Sequence, residues 1–218
     1  MKVEIITHET QTYADELSQL GLEQSWIEQI AGRIISAFNQ TTRNDAKSAA
    51  GIMAYLAAVR SVRDILCPEG WTIEREHNLE ITKNDEIGIS LIVSSGDKNT
   101  GNENQTPKTK NPKGEQTKRI VHENTNYKSL FPDFDKIHTI EICENPNWIL
   151  LYHIDAPQKQ MRLEISLPVK MNYYGNKIED WKKRIILPMI DFNPSPVVSD
   201  PEFAEEFEFE IKRKADDR

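Results

Sequence analysis

The sequence predicts an α+β fold, in which an N-terminal αα-hairpin packs on a mainly antiparallel meander sheet of about eight strands that carries one long basic loop. Apolar residues recur at spacings of three and four in the first third of the chain, and at a spacing near two from Trp71 onward. The 218 residues are enough for an ordinary hydrophobic core. We therefore expect a single domain over 1–218, with a helical part at about 10–67 and a β-rich part at about 71–213.

Two helices are predicted after a short strand-like start, MKVEII. The first runs from Leu22 to Phe38, and the second from about Asp45 to Cys67. Pro68 cannot continue the second helix, and Gly70 can take the left-handed conformation that ends it. The apolar residues of the second helix that we expect to face the core are Ile52, Met53, Leu56, Val59, Val62, Ile65 and Leu66.

Strands follow one another closely from Trp71 to Val93, and the short polar turns between them favour antiparallel pairing. Five more strands are predicted further along: Ile137 to Cys143, Trp148 to Ile154, Met161 to Val169, Ile178 to Pro188 and Phe207 to Ile211. Strict alternation in the strand that begins at Met161 predicts a sheet covered on one side only, with Glu164 and Ser166 facing solvent. The last strand is expected to close the sheet edge.

Residues 95–119 read SGDKNTGNENQTPKTKNPKGEQTKR, without an aliphatic or aromatic side chain. Six basic and three acidic residues give this segment a net charge of +3, whereas the whole chain carries −8. The acidic total argues against nucleic-acid binding through overall charge but permits a local basic patch. The segment is predicted to be either a flexible surface insertion or a binding loop. Its expected contact residues are Lys108, Lys110, Lys113, Lys118 and Arg119.

An enzymatic alternative rests on Asp155 and Glu164, which lie on two predicted neighbouring strands. Nucleases of the restriction-endonuclease type hold Mg²⁺ between two such carboxylates and place a lysine two residues after the second. Here Ser166 stands where that lysine is required. The pair is therefore interpreted first as solvent-facing acids, and a magnesium site remains the alternative.

Other constellations of reactive residues are weak. The five histidines show no metal-ligand spacing, Cys67 and Cys143 belong to no CxxC motif, and no nucleophile elbow or phosphate-binding loop is present in the sequence. We expect no metal and no cofactor, apart from Mg²⁺ under the nuclease alternative. Two distant cysteines and a start without an apolar leader segment predict a cytoplasmic, reduced protein without a membrane span.

Three functions remain open from the sequence. The preferred one is a non-enzymatic binding or accessory protein, whose basic loop contacts an acidic partner such as nucleic acid within a larger assembly. The second is the Mg²⁺-dependent nuclease. The third is a protein-interaction subunit that uses the edge strand from Phe207 to Ile211. Because the loop contains no aromatic residue, the sequence argues against stacking of single-stranded bases on it.

Overall fold

The computed structural model describes residues 3–125 and 145–194, and within them the α+β class is confirmed. The helices are α1 Tyr13–Gln19, α2 Gln24–Asn39, α3 Ala49–Leu66 and α4 Glu115–Glu123. The strands are β1 Glu4–Thr7, β2 Thr72–Glu76, β3 Leu79–Asn84, β4 Ile89–Ser95, β5 Asn147–Asp155, β6 Gln160–Met171, β7 Ile178–Ile186 and β8 Ile190–Asp191. The strands predicted at 137–143 and 207–211 lie outside the described residues.

All eight strands belong to one mixed sheet, in the order β1-β7-β6-β5-β4-β3-β2, with β8 paired to β6. Most neighbours are antiparallel, but β1 runs parallel to β7 and β4 runs parallel to β5. Parallel neighbours need a long crossover connection. The segment that follows Ser95 is the first part of the crossover from β4 to β5.

Helices α1 to α3 cover one side of the sheet, which we call the helix face. Helix α2 buries a stripe at helical spacing that includes Ile27, Ile30, Ile34 and Phe38. These side chains join the inward residues of the central strands in one apolar cluster. The predicted end of the following helix, α3, is confirmed: a short 3₁₀ turn follows Leu66, and Gly70 then adopts the left-handed φ of 88°.

The C-terminal half of helix α3 confirms the predicted stripe, since Val62 and Leu66 are fully buried, but the N-terminal half packs through small residues instead. Small residues such as Gly51, Ala54 and Ala58 are buried, whereas Ile52 and Leu56 are 42% and 54% exposed. Small side chains let the helix backbone approach its neighbours closely, and this packing takes precedence over burial of the larger residues. The expectation that Ile52, Met53 and Leu56 face the core is wrong.

The opposite side of the sheet is also covered, which corrects the prediction of a sheet with one solvent-facing side. Its cover consists of residues 96–114 and helix α4, and we call this side the loop face. Ile120 and Val121 of α4 pack in a second apolar cluster with Ile92 and Leu151 of the sheet. Glu164 and Ser166, predicted to face solvent, are fully buried on this side.

Candidate functional site

The basic segment is bonded along the sheet rather than projecting from it. Gly96 and Thr109 form an antiparallel bridge, and the Lys110 amide donates to the Ser95 carbonyl over 3.0 Å. The Asp97 amide donates to the Lys108 carbonyl over 2.9 Å. Residues 96–110 therefore double back on themselves at the end of β4.

The returning part of the loop is also tied to β7. The Thr109 amide donates to the Ile178 carbonyl, and the Ile178 amide donates to Thr109 Oγ1, both over 3.1 Å. The indole Nε1 of Trp181 donates to the Pro107 carbonyl over 2.8 Å. Thr109 is fully buried, so this side of the loop is part of the protein interior.

A buried ion pair lies beneath the loop. Arg184 donates through Nη2 and Nε to the two carboxylate oxygens of Glu164, over 2.5 and 3.1 Å. The same guanidinium donates to the carbonyls of Asn102 and Gln105, both over 3.0 Å. Glu164 in turn accepts the Gly101 amide over 2.9 Å. One charged pair thus holds three points of the loop backbone.

The two carboxylates of the nuclease alternative are not brought together. Glu164 lies opposite Leu151 in the register of β5 and β6, whereas Asp155 lies opposite Gln160. Four residues of strand separate them, about 13 Å. Asp155 instead accepts the Gln158 amide over 3.2 Å and pairs with Arg162 over 3.5 Å.

Glu164 has no free coordination site for a cation, because its oxygens accept the Arg184 guanidinium, the Gly101 amide and the Ser166 hydroxyl, the last over 2.7 Å. Among the described residues, no group of three or more His, Cys, Asp or Glu side chains is placed to hold a metal ion. The positions of Asp155 and Glu164 therefore give the nuclease alternative no geometric support.

His153 is a further part of the loop support that the sequence did not indicate. Its Nδ1 lies 3.2 Å from the Gly96 carbonyl, where the loop leaves β4. Burial lowers the pKa of His153 below its usual value, although the hydrogen bond to Gly96 opposes this shift. A neutral ring that donates from Nδ1 fits both observations.

The five predicted contact cations all lie on the loop or on α4. Lys108 pairs with Glu179 over 2.8 Å, and this hydrogen-bonded carboxylate raises the pKa of Lys108. Lys118 pairs with Glu115, and Arg119 pairs with Glu76 and Glu123. Lys110 and Lys113 take part in further interactions of their own. The cations therefore share one layer of the molecule, interleaved with acidic residues.

An exposed aromatic pair was missed at the sequence level. Tyr173 and Tyr174, in the turn between β6 and β7, are 95% and 81% exposed. The available signal was the sequence NYYGNK, which places two aromatic residues in a turn that Asn and Gly are sufficient to form. The Lys113 amide donates to the Asn176 carbonyl over 2.7 Å, which joins this turn to the loop.

A shallow cleft opens beside the loop, where β1 and β7 end. Its volume is about 270 Å³, and its lining includes His8, Glu9, Glu103 and Arg162. Cationic and anionic side chains are mixed in this lining, so the cleft favours neither an anionic nor a cationic ligand.

In the part of the chain that the structure describes, fold and site together define an α+β protein with a mixed eight-stranded sheet, whose second face is covered by a basic loop hydrogen-bonded to the strands. Comparison of the chain with protein-family models, with curated proteins and with solved structures gives no match. Within residues 3–125 and 145–194, no helix has the length and apolar character needed to cross a membrane.

Proposed function

We propose that the protein is a non-enzymatic binding protein whose basic loop and helix α4 contact an acidic partner, with nucleic acid in a larger assembly as the preferred partner. The observation that carries the proposal is the attachment of the loop to the sheet. Lys108, Lys110 and Lys113 extend from a backbone that is hydrogen-bonded to β4, to β7 and to the turn before β7. Cations on a fixed backbone lose less conformational entropy when they bind a phosphate chain.

The ion pairs on this layer are compatible with such binding. The Lys108 side chain is 50% exposed, and exposed pairs contribute only about 0–1 kcal/mol each. A phosphate can therefore replace the Glu179 carboxylate at small cost. Because Glu115, Glu123 and Glu179 lie close to the cations, the positive potential of this layer is moderate. Since the attraction to phosphates is electrostatic and is screened by ions, we expect binding to weaken strongly with added salt.

The proposal is tested by fluorescence anisotropy with a labelled DNA duplex at about 50 and about 200 mM salt. The test variant carries Lys108→Gln, Lys110→Gln, Lys113→Gln, Lys118→Gln and Arg119→Gln. We expect it to lose most of its affinity at low salt. The slope of log K against log salt concentration should become shallower by about 0.9 for each phosphate contact removed.

A matched control variant neutralises five exposed cations associated with the helix face: Arg33→Gln, Arg43→Gln, Lys47→Gln, Arg60→Gln and Arg75→Gln. It has the same net charge as the test variant and should retain duplex binding. Equal losses in both variants would show that only total charge matters, which contradicts the proposal. Competition by polyglutamate that matches competition by unlabelled DNA of equal charge would show that the site does not prefer phosphates to carboxylates, which contradicts nucleic acid as the preferred partner.

A further inference from the structure

The turn between β6 and β7 holds its two tyrosines in a defined position. The Asn172 amide donates to the Lys177 carbonyl over 2.7 Å, and the Asn172 side-chain oxygen accepts the Asn176 and Lys177 amides over 2.9 and 3.1 Å. Gly175 supplies the positive φ of 67° that this turn requires. The backbone that carries the rings is therefore held by hydrogen bonds within the turn itself.

The rings of Tyr173 and Tyr174 pack on each other and on little else. Their centroids are 5.4 Å apart, with an interplanar angle of 83°, and both residues are more than four-fifths exposed. An edge-to-face pair leaves ring faces open to solvent. Since Asn172, Gly175 and Asn176 are sufficient for the turn, its geometry does not explain why aromatic residues occupy these two positions.

Cations of the basic loop and α4 lie beside this turn. A β-carbon built on Gly175 would be 3.5 Å from Cε of Lys118 and 3.8 Å from its Nζ, so the end of that side chain lies beside the turn. Lys113 is joined to the turn through its amide, and Lys177 belongs to the turn itself. Glu115 pairs with Lys118 through an exposed contact of the kind that a phosphate can replace.

Open aromatic faces beside cations are the two elements of single-strand recognition. Unpaired bases stack on aromatic rings, while the phosphates that link them contact Lys and Arg along a groove. A duplex stacks its bases internally and cannot offer them to the rings. Exposed rings beside cations would therefore favour a single strand over a duplex.

We propose that Tyr173 and Tyr174 form a stacking platform for the bases of single-stranded nucleic acid, whose phosphates contact Lys113, Lys118 and Lys177. This inference rests on the proposed function, since it names the form of nucleic acid that the basic face binds. The tertiary structure supplies the aromatic residues that the loop sequence lacks, by placing a distant turn next to it.

The test measures anisotropy of a labelled oligothymidylate of about 12 nucleotides, a length within the range that single-strand sites cover. The variant Tyr173→Ala with Tyr174→Ala is expected to bind it about 10- to 100-fold more weakly, because base stacking is lost. Its duplex binding and its melting temperature should not change, since both rings lie outside the core. The matched control, Tyr173→Phe with Tyr174→Phe, keeps the rings and should keep the affinity.

The two proposals fail in different ways. If neither oligothymidylate nor duplex binds at about 50 mM salt, the proposed function itself is contradicted. If duplex binds and depends on the loop cations, but the alanine variant holds oligothymidylate as well as the unsubstituted protein does, only the stacking platform is overturned. Loss of oligothymidylate binding in both the alanine and the phenylalanine variants would also overturn it, because the tyrosine hydroxyls, not the rings, would then carry the contact.

Discussion

The two faces of the sheet are covered by different kinds of interaction. On the helix face, aliphatic and aromatic residues of α1 to α3 pack against the strands in one large cluster. On the loop face, a smaller cluster around Ile120 and Trp181 is supplemented by hydrogen bonds and by the buried pair of Glu164 and Arg184. One sheet thus combines a cover of apolar packing with a cover of directional polar contacts.

This difference has an energetic consequence. Apolar packing loses stability in proportion to the volume removed, because transfer and cavity terms are graded. A buried ion pair instead fails abruptly when one partner is lost, since the other charge remains without compensation. Directional contacts also specify one position for a loop that has no aliphatic side chains with which to pack. We therefore expect the loop face to be more sensitive to single polar substitutions than to changes of size.

The largest effect is expected for Arg184→Met. This substitution leaves the carboxylate of Glu164 buried and removes the donors to the carbonyls of Asn102 and Gln105. We expect a loss of about 3–5 kcal/mol in the free energy of unfolding. Urea unfolding measures this loss. The substitution should also increase the amide hydrogen exchange rate more at Gly101 and Lys110 than in α2. A loss below about 1 kcal/mol would contradict the role assigned to the pair.

The corresponding change on the helix face is Ile34→Ala, at a fully buried position of α2. We expect a loss of about 2–5 kcal/mol, set by the cavity that remains. Ile34→Val should cost only about 0.5–1.5 kcal/mol in the same urea titration, which tests whether the effect is graded by volume. If Ile34→Ala does not cost more stability than Ile34→Val, the loss is not graded by volume. That result would contradict the difference between the two faces.

A smaller, pH-dependent effect is expected from His153 beneath the loop. Because burial lowers its pKa in the folded protein, the unfolded chain binds a proton more readily as the pH falls through the ordinary histidine range. The free energy of unfolding should therefore decrease as the pH falls from the pKa of His153 in the unfolded chain to its lower pKa in the folded protein. Above the unfolded-state pKa this contribution to stability is complete. Arg162 and Lys110 act in the same direction, and Asp155 opposes them.

The measurement is the urea midpoint between about pH 8 and about pH 5, the range in which histidine titrates. His153→Asn keeps a side-chain donor near Gly96 but cannot titrate, so its midpoint should depend less on pH than that of the unsubstituted protein. Identical pH dependence of the two proteins would show that other groups produce the effect.

The smallest effect on stability is expected for Lys108→Gln, which removes an exposed pair with Glu179. We expect less than about 1 kcal/mol in the free energy of unfolding, and less still at high salt. The same substitution should weaken duplex binding measurably at low salt. Stability loss without any change in binding would assign Lys108 to the fold alone.

Local patterns were enough to predict several elements. The helical period over Leu22 to Phe38 corresponds to α2, and the alternation from Met161 to Val169 corresponds to the centre of β6. Helix α4 was not predicted, because its first residues belong to the polar sequence GEQTKR and only Ile120 and Val121 mark an apolar side. The parallel pairing of β4 and β5 was not predicted either, since pairing direction depends on the path of the crossover.

The candidate site, like the fold, was predicted only where local sequence carries the signal. The five cations were predicted as contact residues from composition, whereas the sequence did not indicate the support of the loop by Glu164, Arg184 and His153, because these residues are far apart in the chain. A buried charge is tolerated only when a partner is near, and sequence spacing does not reveal that partner. For the same reason Glu164 was interpreted as solvent-facing, although its alternation with Leu163 and Ile165 had placed it correctly on the other face.

The sequence by itself determined the α+β class, the positions of α2, α3 and several strands, and the excess of positive charge in residues 95–119, because periodicity and composition are local properties. Only the tertiary structure decided that this segment lies along the sheet, that Glu164 supports it, and that Tyr173 and Tyr174 stand beside its cations. These outcomes depend on which distant groups satisfy one another's hydrogen bonds and charges once water is removed, and that is settled when the chain folds.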